Sequence, residues 1–160
     1  MIAVIADTHM PKGNRALPAA CVEKIRAAEA VIHAGDFFAA SVLAELRELN
    51  PRVQAVYGNV DEPALRDELP ESIQIGLGDH TVAVLHDAGP RKGRLARMRA
   101  RFPDADALIF GHSHLPLHEE EDGFQIFNPG SPTERRRSPR HSMGVLRPTA
   151  GGLRFEHVWL

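Results

Sequence analysis

Two imidazoles one residue apart, His112 and His114, follow the apolar run Leu108-Ile-Phe110 through Gly111, a spacing suited to binding metal. In an extended segment, residues two apart point the same way, and Gly111 lets the backbone turn there without a Cβ clash. Four other apolar runs stop at a possible ligand: Ile2 to Ala6 at Asp7-Thr-His9, Val31 to Gly35 at Asp36, Val53 to Gly58 at Asn59, and Val82 to Leu85 at His86. This many oxygen and nitrogen donors exceed one tetrahedral site and suit two octahedral or five-coordinate ions bridged by Asp36. Two divalent ions against two carboxylates leave a positive site that attracts an anion such as phosphate. Ions about 3.5–4 Å apart lower the pKa of a shared water and clamp both oxygens of an in-line displacement, so phosphoester hydrolysis is the natural reaction. Imidazole, carboxylate and amide together suit manganese, iron, zinc or nickel better than calcium or magnesium.

Some of these residues have a plainer reading beside this one. Asp7 and His9 could be a turn-capping carboxylate and a surface imidazole, and Asn59 could simply tolerate a left-handed turn after Gly58. His33, inside its apolar run, reads as a buried, hydrogen-bonded residue or a support to a ligand rather than a ligand itself.

The positioning elements follow from periodicity. Short β-branched runs at Ile2–Ala6, Ala30–Gly35, Val53–Gly58 and Ala105–Phe110 predict buried strands. Helices are expected over 18–29 and 39–49, where Val42, Leu43, Leu46 and Leu49 fall at helical spacing. A loop with a short helical turn is expected over 62–70. Ser72–Leu77 with Thr81–Leu85, Leu115–Glu121 with Phe124–Phe127 around Asp122-Gly123, and His141–Arg147 with Leu153–Trp159 predict hairpins. Residues 91–102 predict a helix dense in arginine, either a solvated face or a basic surface beside a phosphate site. The order β-α-β-α-β followed by hairpins implies an α/β sandwich with mixed sheets. In such sheets sites form beyond the carboxyl ends of the strands, where all seven donors fall.

Bulk properties narrow the class. A length of 160 residues, 43% hydrophobic and 25% charged, is that of one globular domain spanning 1–160. A formal charge of -2 and a pI near 6.5 argue against a sequence-blind binder of nucleic acid. One cysteine, Cys21, precludes an intrachain disulfide and fits a cytoplasmic location. No run approaches the ~18 apolar residues of a membrane span.

Asp7-x-His9, Gly35-Asp36, Gly58-Asn59-x-Asp61, a lone His86 and Gly111-His-x-His114 together resemble the signature of the calcineurin-like metallophosphoesterases. With Asn128-Pro-Gly-Ser-Pro132, the chain looks most like their small prokaryotic phosphodiesterase branch. The resemblance implies a four-layer αββα sandwich with two mixed β-sheets. It implies one ion on Asp7, His9, Asp36 and His114 and a second on Asp36, Asn59, His86 and His112, with catalysis centred on Asp36, Asn59 and His112. The chain departs from the pattern at Val60, where many relatives carry a histidine that stabilises the transition state or protonates the leaving group. It departs again at Asp87, which adds a carboxylate that disfavours dianionic substrates. A small phosphoester is the expected substrate. A non-catalytic interaction scaffold of the same fold, a nuclease and a phosphomonoesterase are the rival readings, and self-association is left open.

Overall fold

The computed structural model describes residues 1–160. Strand β1 (Ile2–Ile5) pairs in parallel with β2 (Ala30–His33), which pairs in parallel with β3 (Val53–Ala55). On its other side β1 meets β9 (Ser142–Thr149) antiparallel, and β10 (Gly152–Trp159) closes that edge. The second sheet runs β4 (Ser72–Leu77), β5 (His80–Leu85), β6 (Ala107–Ile109), β8 (Phe124–Asn128), β7 (Leu117–Glu121). Its three middle strands are parallel and both edges antiparallel.

Period-two alternation separates three cores. Val4, Ile32, Leu146 and Phe155 of the first sheet face Val84, Ile109 and Phe127 of the second. Ala3, Ile5 and Val31 point the other way, onto α1 (Ala19–Ala27), α2 (Ala40–Leu49) and α3 (Pro63–Glu68), which contribute Ile25, Leu43 and Leu65. Leu85, Leu108 and Ile126 turn outward onto Met98 of α4 (Arg94–Arg101). The layers are therefore αββα, with the two sheets face to face.

Several boundaries are shorter than the apolar runs suggest. The run Val53–Gly58 leaves the sheet after Ala55, because Tyr57 N–H turns to the carbonyl of Pro70. The basic helix starts at Arg94, behind a left-handed Gly93 (φ 66°). Its arginines mostly serve local structure. Arg94 donates to Gly89 O and Arg97 to Pro90 O and Lys92 O, while Arg99 and Arg101 pair with Asp122 and Glu71. The Asp122-Gly123 hairpin forms as its sequence demands, with φ of 49° and 79°.

Gly144 lets β9 approach the second sheet, since a Cβ there would overlap the ring of Phe127. Phe127 itself stacks on Phe155 and His157, with centroids 4.8 and 4.4 Å away. Gly144→Ala should destabilise the fold by about 1–3 kcal/mol through overpacking. Chemical denaturation of Gly144→Ala in wild-type and Phe127→Leu backgrounds should show a smaller cost in the second; equal costs would place the clash elsewhere.

Candidate metal centre

The chain emerges from five strand ends into one cleft where the two sheets meet. Asp7 and His9 follow β1, Asp36 follows β2, Asn59 follows β3, His86 follows β5, and His112 and His114 follow β6. The exits are not extended. Asp7, His9, Asp36, His112 and His114 all have left-handed backbones, with φ of 57°, 45°, 62°, 68° and 59°. Non-glycine residues avoid this region, and its occupation at functional sites marks strain held by surrounding structure. Here the restraint is visible: Asp7 N–H bonds to Gly35 O, His9 N–H to Asp36 O and Met10 N–H to Phe37 O, at 3.0, 3.0 and 2.9 Å.

This geometry corrects three expectations. His112 and His114 do not share one face of an extended segment, because both backbones are left-handed. Their rings part: that of His114 is fully buried and lies 4.9 Å from that of His9, whereas that of His112 is 47% exposed and lies 5.3 Å from that of His86. Asn59 is not among the left-handed residues, so its place after Gly58 is not explained by a turn that needs it. Nor is His9 a surface imidazole, being 5% exposed.

Lone pairs converge in two clusters that share Asp36. In the first, His9 Nε2 lies 3.3 Å from Asp36 Oδ2 and 4.0 Å from Asp7 Oδ1, and His114 Nε2 lies 3.5 Å from Asp7 Oδ1. In the second, His86 Nε2 is 3.2 Å from Asp36 Oδ2 and 3.0 Å from Asn59 Oδ1, which is 2.9 Å from His112 Nδ1. Tautomers follow from the outer contacts. His86 Nδ1–H donates to Ala34 O and His114 Nδ1–H to Glu134 O, at 2.8 and 2.7 Å, so each presents its Nε2 inward. Asp7 Oδ2, His9 Nε2 and His114 Nε2 are buried without a hydrogen-bond partner, a costly arrangement for protein groups alone. A divalent cation in the first cluster, which holds all three, would satisfy these acceptors, so its residues fit a metal of the kind that the sequence suggests.

Electrostatics agree. Burial pushes the Asp7 carboxyl up to about 8, with the neighbouring Asp36 charge adding to the rise and His86 opposing it. Burial also works against the Asp36 charge, yet the adjoining His86 and His9 imidazoles and the N–H of Val60 outweigh it and hold that carboxyl well below the usual range. His86 is raised, its burial overcome by Asp36 and Asp7. Burial pulls His114 down to about 4, keeping it neutral and ready to ligate.

Supporting residues close the site. Asp61 accepts from Gly58 N–H at 2.7 Å, Phe38 N–H at 2.8 Å and Asp36 N–H at 3.2 Å, fixing the two exits against each other. A Cβ on Gly58 would collide with the Asp36 carboxylate and backbone. His33 is buried and does not ligate: its Nδ1 accepts from Gly35 N–H and its Nε2 meets Thr8 Oγ1. The contacts made by the loop after Asn128 escape sequence reasoning. Ser131 Oγ–H donates to Asp7 O and Thr133 Oγ1–H to Thr8 O, at 2.7 and 2.6 Å. Glu134 places Oε2 3.6 Å from His9 Nδ1 and 3.8 Å from His114 Nδ1, while Arg15 grips its Oε1 at 2.9 Å. Nothing in a Thr-Glu-Arg string distant in sequence signals that contact.

A family model for the calcineurin-like phosphoesterase superfamily domain matches residues 1–151. A probable metallophosphoesterase of Methanothermobacter thermautotrophicus is 35% identical over 138 residues, covering 85% of this chain and 79% of that protein. A phosphodiesterase of Methanocaldococcus jannaschii is 30% identical over 142 residues, covering 81% and 82%. Among solved structures, wild-type Vps29 from Entamoeba histolytica complexed with zinc is similar at a TM-score of 0.77 and 26% identity, over 99% of this chain and 98% of that one. The chain belongs to the calcineurin-like phosphoesterase superfamily.

Two outcomes test the supporting residues. Glu134→Gln removes a carboxylate charge 3.6 Å from His9 Nδ1 but keeps the backbone bond from Glu134 O to His114, so it should weaken metal binding by less than the about 10–100-fold seen when an orienting hydrogen bond is lost. Titration calorimetry with a divalent metal should read the loss as a raised dissociation constant. Burial, with a smaller effect of His86, depresses His33 from 6.5 to about 3, so the unfolded chain takes up a proton that the folded one refuses across that window. Stability from this group is complete above pH 6.5 and falls by up to about 1.4 kcal/mol per pH unit as pH drops toward 3. Urea denaturation across pH should show a shallower acid loss in His33→Gln.

Proposed function

We propose that the protein is a dinuclear metal-dependent phosphoesterase that hydrolyses phosphodiesters. The observation that carries this is the convergence of acceptors from both sheets on Asp36, with three buried atoms lacking any protein partner. Asp7, His9, Asp36 and His114 would hold one ion, and Asp36, Asn59, His86 and His112 the other. The donor set suits manganese, with iron, zinc and nickel also compatible. When bound, two such ions supply Lewis acidity and lower the pKa of a shared water for in-line attack on phosphorus.

The chain's own residues divide the remaining work. Asp36 faces both clusters and, being strongly acidic, offers a full negative charge to both. Asn59 offers a neutral carbonyl oxygen, its backbone held by Arg66 Nη2 at 2.6 Å. His112 stands on the open side, its N–H bonded to Asp7 Oδ1 at 3.1 Å, where a substrate can reach it. Val60 is 37% exposed beside them and has no proton to give, which favours esters with good leaving groups. The reading takes residues 1–160 as one catalytic domain acting on small phosphoesters in the cytoplasm, a reducing setting compatible with the free, buried Cys21.

The whole-chain likeness to Vps29 favours the second reading, an interaction scaffold without turnover. Chelator-stripped protein refilled with manganese, iron, zinc or nickel should regain hydrolysis of an aryl phosphodiester in preference to its monoester. Asp36→Ala should lose at least about 100-fold in kcat/KM. Metal uptake at two ions per chain with no turnover of either ester would support the scaffold.

A further inference from the structure

Beside Asn59 and His86 the surface opens into a cavity of about 260 Å³. Its apolar lining is Tyr57 and Leu85, and its charged lining is Arg66, Arg101, Glu71 and Asp87. Two cations and two anions leave no formal net charge, but the partners are unequal. Arg66 donates through Nη2 to Asn59 O and through Nε to Asp61 O, at 2.6 and 3.2 Å, and its guanidinium lies 5.6 Å from the centroid of the Tyr57 ring. Arg101 meets Glu71 at 3.3 Å. Asp87 has no arginine or lysine partner. Its Oδ1 accepts from Gly89 N–H at 2.7 Å, and its Oδ2 lies 4.0 Å from His112 Nε2, in a side chain that is 56% exposed. Beside His112 the cavity therefore presents a carboxylate with no cationic side chain of its own.

We propose that this cavity is a subsite for the organic group of the phosphoester, selecting an uncharged ring that donates hydrogen bonds, such as a nucleoside or sugar. Asp87 imposes the selection by repelling a group that carries a further phosphate, and Tyr57 supplies the face for the ring. This rests on the phosphodiesterase reading, which seats the reacting phosphate on the Asp36 cluster. From there an ester substituent on the Asn59 and His86 side enters the cavity directly. A hydroxyl or amino donor on that substituent would satisfy Asp87, whereas a second phosphate placed beside Asp87 would meet a carboxylate, with Arg66 tied to Asn59 O and Asp61 O and Arg101 paired with Glu71 on the outer side. The aromatic ring of Tyr57, over which Arg66 lies, adds an apolar wall for which a planar group is the natural complement.

Calorimetry on the metal-loaded protein reads the subsite without turnover, using inorganic phosphate, thymidine 5′-phosphate and thymidine 3′,5′-bisphosphate as probes. The monophosphate should bind about tenfold tighter than phosphate and about tenfold tighter than the bisphosphate. Asp87→Asn, which keeps the acceptor for Gly89 N–H, should erase the penalty on the bisphosphate, and Tyr57→Ala should erase the advantage over phosphate. A monophosphate no tighter than phosphate, or a bisphosphate penalty that persists in Asp87→Asn, overturns the subsite. Hydrolysis of an aryl diester by the same preparations separates the two ideas. Turnover without the monophosphate advantage removes the subsite alone, and the advantage without turnover upholds the subsite and removes the hydrolase reading. A metal-loaded protein that binds none of the three probes overturns both.

Discussion

Acceptor groups from two β-sheets crowd into one buried cleft, and the rest of the molecule is arranged to keep them there. Asp7, Asp36, His9, His86 and His114 are nearly inaccessible to solvent, yet most of what they face is other lone pairs. Protein interiors do not tolerate such a cluster on its own account, since each unpaired buried acceptor costs about 1–3 kcal/mol. The arrangement makes physical sense when cations complete it. The pKa pattern says the same: Asp7 pushed up by burial, Asp36 driven down by the imidazoles around it, and His114 kept neutral.

Holding that cluster requires strained backbone, and the fold supplies the restraint from several directions. Five of the seven donors sit in left-handed conformations, so their stability must come from neighbours. Three backbone bonds tie the β1 exit to the β2 exit, Asp61 locks the β2 and β3 exits together, and the loop around Ser131 bonds the β1 exit from the opposite side. Glycines act by absence at two crossings: Gly58 beneath Asp36, and Gly111 with Ala6, Asp7 and Ala34 around it at 3.0–3.1 Å from where a Cβ would stand. The hydrophobic layers beneath are generic, whereas this polar lattice is specific to the site.

The centre is asymmetric in a way that bears on chemistry. The half containing His9 and His114 is buried and backed by Glu134 and Arg15, while the half containing Asn59 and His112 opens toward the cavity. On the phosphoesterase reading, substrate would approach from the open half, where the chain offers Val60, whose side chain has no proton to give, and Asp87, which adds negative charge.

The residue types and their order along the chain were enough to single out the candidate donors, the alternation of strands and helices, and the superfamily. Each donor ends an apolar run, and a run that must be buried in a sheet leaves its terminal polar residue at the sheet's edge. The Asp122-Gly123 turn and the α2 face were legible for the same local reason, since turn chemistry and helical period are written in adjacent residues. Which donors share a cluster was not legible from spacing. His112 and His114, neighbours in sequence, turn to different halves because their backbones are left-handed, and only contacts from β1 and the Ser131 loop hold them so. Glu134, Arg15 and Arg66 gain their roles from long-range packing that leaves no periodic trace. The apparent basic helix became a set of loop anchors once Gly89, Pro90 and Lys92 were seen to present carbonyls to it. Sequence sets which groups are present and where strands must end; tertiary structure decides which lone pairs meet, because that depends on bonds between segments more than 100 residues apart.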